Sequence, residues 1–206
     1  MPRRAYETTA SMNIPAPPVI SPDDPRYGGT AMAFHWTVAA CILAAVALAL
    51  SLEIIPEGPI NDAVFAIHKS VGLVILLLTL ARALWRFTHP APALPPLPAW
   101  QRHSSQAVHL LLYVMAIIMP VSGYIAVAAR GRETVFLGLM AVPRWVPLDR
   151  SLAHKAEAVH VASQYVLYGL LAAHVGAALY HHFVVHDGVL RRMWPARPKD
   201  APASQT

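Results

Sequence analysis

The chain has 206 residues, of which 56% are hydrophobic and only 13% are charged. This composition is too apolar for an ordinary soluble domain and indicates a small integral membrane protein. The net charge of +5 is explained by membrane topology and lipid contact rather than by nucleic acid, because the arginines form no dense run with interleaved aromatic residues. The single Cys41 excludes an internal disulfide and a CxxC metal site.

Four apolar runs follow one another along the chain, each long enough for a helix to cross a bilayer. Residues 1–30 are polar and Pro-rich, lack the apolar region of a signal peptide and are expected to form a disordered cytoplasmic tail. The predicted spans begin at Ala31 and continue over about 63–86, 105–129 and 156–185, and a basic cytoplasmic tail follows over 188–206. We therefore predict an all-α fold, an integral membrane four-helix bundle over 31–187.

The basic residues predict the orientation of this bundle. The first loop, EIIPEGPIND, contains no Lys or Arg, whereas the tails and the second loop are rich in arginine. The positive-inside rule then places both termini in the cytoplasm. The third loop is a partial exception, because it contains Arg130, Arg132, Arg144 and Arg150.

Histidines in the fourth span are the first candidates for a functional site. His160 and His174 are fourteen residues apart, so they project from nearly one face and lie about 21 Å apart along the axis. Ionisable side chains inside an apolar span are costly and are functional candidates by default. Because one buried histidine is more often a hydrogen-bonded core residue, the interpretation depends on partners in other spans.

Histidines in the first two spans lie at the depths that would make them partners of His160 and His174. His68 begins the second span at the outer depth of His160, and His35 begins the first span at the inner depth of His174. Two imidazole pairs at matching depths are what axial ligation of two stacked b-type haems requires. Ligation by two imidazoles leaves no open axial position, which suits electron transfer better than oxygen binding. His154 does not fit, because it lies on the opposite face from His174.

Other polar residues lie near these pairs. Arg82 is fourteen residues after His68, at inner depth, and is predicted to pair with haem propionates; an arginine that extends to lipid phosphate is the equal alternative. His109, His181 and His182 lie at the inner ends of the third and fourth spans. They could hydrogen-bond a quinone carbonyl and handle its protons, or they could contact lipid headgroups.

These residues and motifs resemble the bacterial cytochrome b561 family of four-helix dihaem proteins linked to quinone. The similarity runs from about Tyr27 to Pro195, and its motifs are FHW at 34–36, AIHKSVG around His68, VHLLLYV at His109, MPVSGY at 119–124 and the closing LRRMWP. The resemblance implies two haem b groups held by His35, His68, His160 and His174. It also implies a place in the bacterial cytoplasmic (inner) membrane.

The chain also resembles the branch of this family that contains a superoxide oxidase. That resemblance implies superoxide as the electron donor outside the membrane and ubiquinone as the acceptor within it. The resemblance also implies a role for the basic third loop. Its arginines would steer a small anion towards the outer haem: Arg130, Arg132, Arg144 and Arg150.

Two other functions stay open at this point. A non-enzymatic subunit would relay electrons from a periplasmic dehydrogenase or cytochrome to the quinone pool and would co-purify with that partner. A histidine-rich metal-ion transporter would contain no haem and would need carboxylates or histidines gathered at one depth. The predicted spans contain almost no Asp or Glu, which disfavours the transporter.

Overall fold

The computed structural model describes residues 26–92 and 98–194. Four long helices occupy most of this range: α1 (Gly29–Ile54), α2 (Pro59–Thr88), α3 (Ala99–Ala129) and α4 (Arg150–Tyr180). Each is long and apolar enough to cross a membrane. The predicted all-α, four-helix membrane fold is therefore confirmed. Residues 1–25 and 195–206, the greater part of the two predicted tails, lie outside the described residues.

Each helix begins before its predicted span, and at α2 and α4 the residues at the start favour this. Pro59 occupies the first turn of α2, where its missing N–H costs no hydrogen bond. The Asp149 carboxylate caps α4 by accepting the N–H groups of Ser151 (2.7 Å) and Leu152 (3.1 Å). Helix α4 therefore begins at Arg150, at the end of the predicted third loop and before the fourth predicted span.

Neighbours in the sequence pack together in the bundle: α1 against α2, α2 against α3, and α3 against α4. Within the described part of the chain, α4 makes no comparable backbone contact with α1 or with α2. Space for side chains therefore lies between α4 and these two helices. We call the end where α1 begins and α4 finishes the tail end, and the opposite end the hairpin end.

The third loop contains a small β-hairpin that the sequence had not predicted. β1 (Val135–Phe136) pairs in antiparallel register with β2 (Met140–Ala141). The buried Ser70 hydroxyl of α2 accepts the N–H of Leu137 (3.1 Å), and Lys69 Nζ donates to a carbonyl oxygen just before β1 (2.9 Å). The hairpin is thus fastened to α2 directly after His68.

The chain beyond α4 folds back against α1 at the tail end. A π-helical turn over His181–Val185 leads to a short 3₁₀ helix, Leu190–Met193. Trp36 Nε1 of α1 donates to the Met193 carbonyl oxygen (2.7 Å), and the Trp36 and Trp194 rings meet edge to face. The start of the predicted basic tail is therefore part of the packed structure.

Candidate functional site

His68 of α2 and His160 of α4 form a pair of facing imidazoles near the hairpin end, and we call them the hairpin-end pair. Their ring centroids are 6.3 Å apart. His68 Nδ1 lies 3.1 Å from the Ala45 carbonyl oxygen and His160 Nδ1 lies 2.8 Å from that of Met119. Because a carbonyl oxygen only accepts, each Nδ1 is the donor and each Nε2 keeps its lone pair. Histidines that bind metals through Nε2 are held in this way.

Gly123 of α3 makes room for the His160 ring. A Cβ atom built on Gly123 would lie 3.0 Å from Cε1 and 3.1 Å from Nδ1 of His160. A side chain there would push the imidazole away from the Met119 carbonyl oxygen. The glycine in the MPVSGY motif is therefore explained by the seating of His160 rather than by helix flexibility.

A second pair of imidazoles, the tail-end pair, lies near the other end of the bundle. His35 of α1 and His174 of α4 have ring centroids 6.1 Å apart. The Trp36 ring lies 5.1 Å from that of His35, and the His109 ring lies 5.1 Å from that of His174. The structure thus brings together both pairs of histidines that the sequence matched by depth.

The separation of the rings tests whether these pairs fit an axially ligated metal. Two imidazoles on opposite sides of one ion have centroids roughly 6 Å apart, since a metal–nitrogen bond is about 2 Å and the centroid lies about 1 Å behind the nitrogen. The observed 6.3 and 6.1 Å agree with this spacing. Each pair would supply two imidazole nitrogens to the iron of a bound haem. The residues present therefore fit haem ligation.

A cleft, partly open to the outside, runs alongside the hairpin-end pair and contains about 590 Å³ of empty space. All four helices contribute to its walls. Small and apolar side chains line it beside the two histidines, among them Ala45, Gly72, Ala116, Met119 and Leu167. Such walls admit a flat apolar group and keep the dielectric constant around it low.

Thr79 of α2 contributes a buried hydroxyl that the sequence analysis missed. Its side chain is only 2% exposed, and Oγ1 has no hydrogen-bond partner. Ser51, Ser70 and Ser122 each donate to the carbonyl oxygen four residues earlier, so such a bond is open to helical hydroxyls in this bundle. An unsatisfied buried hydroxyl is costly. Its position one turn before Arg82 fits a hydrogen bond to a group bound between the helices.

Arg82 lies at the depth of the tail-end pair, as its spacing from His68 predicted. It is half-buried, and its guanidinium group lies 5.1 Å from the centre of the Tyr113 ring. His35 and His174 are both within its electrostatic range. The propionate role of Arg82 stays a prediction beside the alternative of lipid phosphate.

The three histidines predicted to contact quinone have different surroundings. His109 is exposed on α3, beside His174, and its Nδ1 lies 2.6 Å from the Ser105 carbonyl oxygen. His182 packs its ring 4.7 Å from that of the exposed Phe183. His181 is mostly buried, and its Nδ1–H donates to the Asp187 carboxylate. Only His181 of the three is paired with a buried carboxylate.

The structure brings together most of the cationic residues of the third loop. Arg130, Arg132 and Arg150 line an open pocket of about 1060 Å³ at the hairpin end, together with Asp149 and His154. Arg130 is ion-paired with Glu157. Arg144 is exposed and lies outside this lining. His154, which did not fit the haem pairs, belongs to this pocket instead.

Fold and site together define a class of protein: a multi-pass membrane protein whose helices direct paired imidazoles into the bundle. Residues 26–196 match the family model described as prokaryotic cytochrome b561, and the chain belongs to that family. Its members bind b-type haem and transfer electrons in the membrane.

The chain is similar to three curated proteins over nearly the whole length of each. Cytochrome b561 homolog 2 of Escherichia coli (strain K12) is 32% identical over 173 residues, covering 82% of this chain and 90% of the relative. Cytochrome b561 homolog 1 of the same organism is 29% identical over 177 residues, covering 84% and 98%. A protein described as probable superoxide oxidase CybB of Yersinia pestis is 28% identical over 175 residues, covering 84% and 97%.

Proposed function

We propose that this chain is a dihaem cytochrome b that carries electrons from superoxide, on the outer side of a bacterial inner membrane, to ubiquinone. The observation that carries the proposal is the presence of two imidazole pairs, at ring separations of 6.3 and 6.1 Å, at opposite depths of one bundle. His68 and His160 would hold one haem b, and His35 and His174 the other. Haem supplies reversible one-electron chemistry when it is bound.

The chain's own residues determine how such a site works. Ligation by two imidazoles, from His68 with His160 and from His35 with His174, would favour outer-sphere electron transfer over oxygen binding. The bonds from His68 and His160 to backbone carbonyl oxygens hold the ligand rings in place when the charge at the site changes. At the tail-end pair, Arg82 and the Thr79 hydroxyl would hold the propionate or ring edge of the second haem.

The orientation follows from the distribution of charge. The first loop lacks Lys and Arg, whereas the described part of the chain has Arg86, Arg102, Arg191 and Arg192 at the tail end. Both termini would then be cytoplasmic, and the hairpin end would face the periplasm.

Superoxide is favoured as the donor because the hairpin end presents a cationic pocket. Arg130, Arg132 and Arg150 line it on the side of the bundle that holds the hairpin-end pair. Fixed positive charge raises the encounter rate of a small anion, and rapidly reacting anions gain most from it. The relative described as a probable superoxide oxidase supports this choice of donor, although Arg144 lies outside the pocket and would act only at longer range.

Ubiquinone is favoured as the acceptor because the tail end offers histidines beside lipid-exposed apolar surface. His109, His181 and His182 all lie there, and the exposed Tyr180 and Phe183 flank the last two. A quinone ring reaching this surface from the bilayer would meet imidazole groups near the tail-end pair.

A second candidate function is that of an electron-relay subunit docked to a periplasmic redox protein. It is favoured by the apolar surface of the hairpin end, where the Leu139 side chain is 84% exposed and that of Trp145 73%. Exposed apolar residues beside arginines are also what a protein partner would cover.

One experiment distinguishes the superoxide-oxidising function from that of a relay subunit. The full chain, purified in detergent, is expected to contain two b haems, measured by haem extraction and by a reduced-minus-oxidised spectrum. An enzymatic source of superoxide should reduce them, and added ubiquinone should reoxidise them. Two haems that do not react with superoxide would favour the relay subunit, and protein without haem would overturn the proposal.

A further inference from the structure

Asp187 is a buried carboxylate outside the haem-ligand set. It is only 5% exposed. Its Oδ2 accepts a hydrogen bond from Nδ1 of His181, and its Oδ1 accepts the N–H of Val189 (3.2 Å). The Asp187 N–H in turn lies 3.3 Å from the His181 carbonyl oxygen. Backbone and side chain therefore both fasten Asp187 to His181.

This contact exists because the chain departs from α-helical geometry. In a regular α-helix, residues six apart project from widely separated directions. Here one π-helical turn covers His181–Val185, and His186 adopts a left-handed conformation with φ 59°. Both features are uncommon in proteins and cluster at functional sites. Together they bring Asp187 back onto the His181 ring.

The pair lies beside the proposed electron-transfer path. His181 is seven residues after His174, so it projects from the same face about 10 Å nearer the tail end. Trp36, next to His35, holds the segment that follows Asp187 by donating to the Met193 carbonyl oxygen (2.7 Å). The pair is thus anchored to the two helices that carry the tail-end histidines.

The contact settles which imidazole nitrogen is available for chemistry. The hydrogen bond to Asp187 uses Nδ1–H, so Nε2 is the nitrogen that can meet an incoming group. The exposed surface of Tyr180 and Phe183 flanks this position, which suits a lipid-soluble partner rather than a charged one.

We infer that Asp187 is a positioning residue that orients His181 so that Nε2–H donates to a ubiquinone carbonyl oxygen and delivers the protons of quinone reduction; this rests on the proposed function. Two superoxide ions each give up one electron and leave as O₂. Quinone gains these two electrons and two protons to become quinol. His181 delivers the protons in turn from Nε2, and each is replaced from water at the tail end, while Nδ1–H stays on Asp187.

The test is anaerobic stopped-flow reoxidation of dithionite-reduced full-length holoprotein by a short-chain ubiquinone, in H₂O and in D₂O. Asp187→Asn removes the charge at nearly constant shape. It should lower the limiting rate of reoxidation roughly 10²-fold, the usual range for loss of a positioned proton donor. The solvent isotope effect should increase, while haem content and the reduced spectrum stay unchanged. Asp62→Asn, which removes an exposed carboxylate at the opposite end, should behave as wild type.

A second variant covers the case in which Asp187→Asn does not assemble. His181→Gln keeps a hydrogen-bond donor but cannot exchange protons, and it should lose reoxidation to a similar extent with both haems present. Reoxidation at the wild-type rate and isotope effect in either assembled variant would overturn the inference. Failure of the proposed function would look different, because the wild-type protein itself would then lack haem or would not respond to superoxide or quinone.

Discussion

The imidazole of His160 lies against the backbone of Gly123, with a hydrogen bond from its Nδ1 to the Met119 carbonyl oxygen (2.8 Å). Helix α4 thus supplies the histidine, while α3 supplies the carbonyl oxygen that accepts its hydrogen bond and the space that its ring occupies. The close packing of α3 against α4 therefore fixes the ring before any cofactor binds. Such preorganisation lowers the cost of assembling a metal site.

Loss of one ligand should remove one haem. In His160→Ala, the hairpin-end site keeps only His68, so haem content is expected to fall from two per chain to about one, with the tail-end haem retained. Haem extraction and the reduced-minus-oxidised spectrum measure this outcome. His154→Ala is the matched control, since it removes an exposed histidine about 1.7 turns away on the same helix. Two haems in His160→Ala would contradict the pairing.

A methyl group at position 123 should disturb the same haem without touching a ligand. The Cβ of Gly123→Ala would lie 3.0 Å from the His160 ring, and such overpacking costs about 1–3 kcal/mol. The variant is expected to lose part of its hairpin-end haem and to shift the spectrum of the remainder. Gly169→Ala is the control, because its Cβ would meet nothing within 4 Å. Identical spectra in both variants would show that the seat of His160 tolerates a side chain.

The unpartnered Thr79 hydroxyl should matter only when a group is bound. In haem-free protein, Thr79→Val removes a costly unpaired donor and is expected to leave stability unchanged or raise it. In holoprotein, it should shift the midpoint potential of the tail-end haem by roughly 40 mV, the equivalent of one hydrogen bond of about 1 kcal/mol. Redox titration measures this shift. Thr79→Ser keeps the hydroxyl and should titrate as wild type, and equal potentials in all three proteins would rule out the bond.

Much of this architecture could be predicted from the sequence, because two physical rules suffice for it. About 20 apolar residues cross a bilayer, and 3.6 residues per turn convert the spacing of His160 and His174 into a depth and a face. Applied to His35 and His68, the same rules give the two sets of neighbours that the structure brings together.

Three features could not be predicted, because each depends on a local conformation or packing that those two rules do not describe. The contact between His181 and Asp187 needs a π-helical turn and a left-handed residue, which helical periodicity does not contain. A single acidic residue closing a histidine-rich apolar run was the available signal. The role of Gly123 depends on how α3 is rotated against α4, and the clamp of Ser70 on the hairpin depends on a loop conformation. Neither leaves a periodic pattern in the sequence.

The cationic pocket should control the rate of reaction with superoxide rather than its outcome. Arg130 is ion-paired with Glu157, so Arg132 and Arg150 supply the remaining positive charge of the pocket, which Asp149 offsets in part. The double change Arg132→Gln with Arg150→Gln is expected to slow haem reduction by superoxide about tenfold at low salt, because steering acts on encounter. Since a Debye length of about 3 Å at 1 M salt screens such charges, the wild-type and variant rates should converge there.

Pulse radiolysis across a series of salt concentrations measures both rates, with Arg102→Gln, an exposed arginine on α3 at the tail end, as the control. A variant as fast as wild type at every salt concentration would mean that the donor approaches elsewhere.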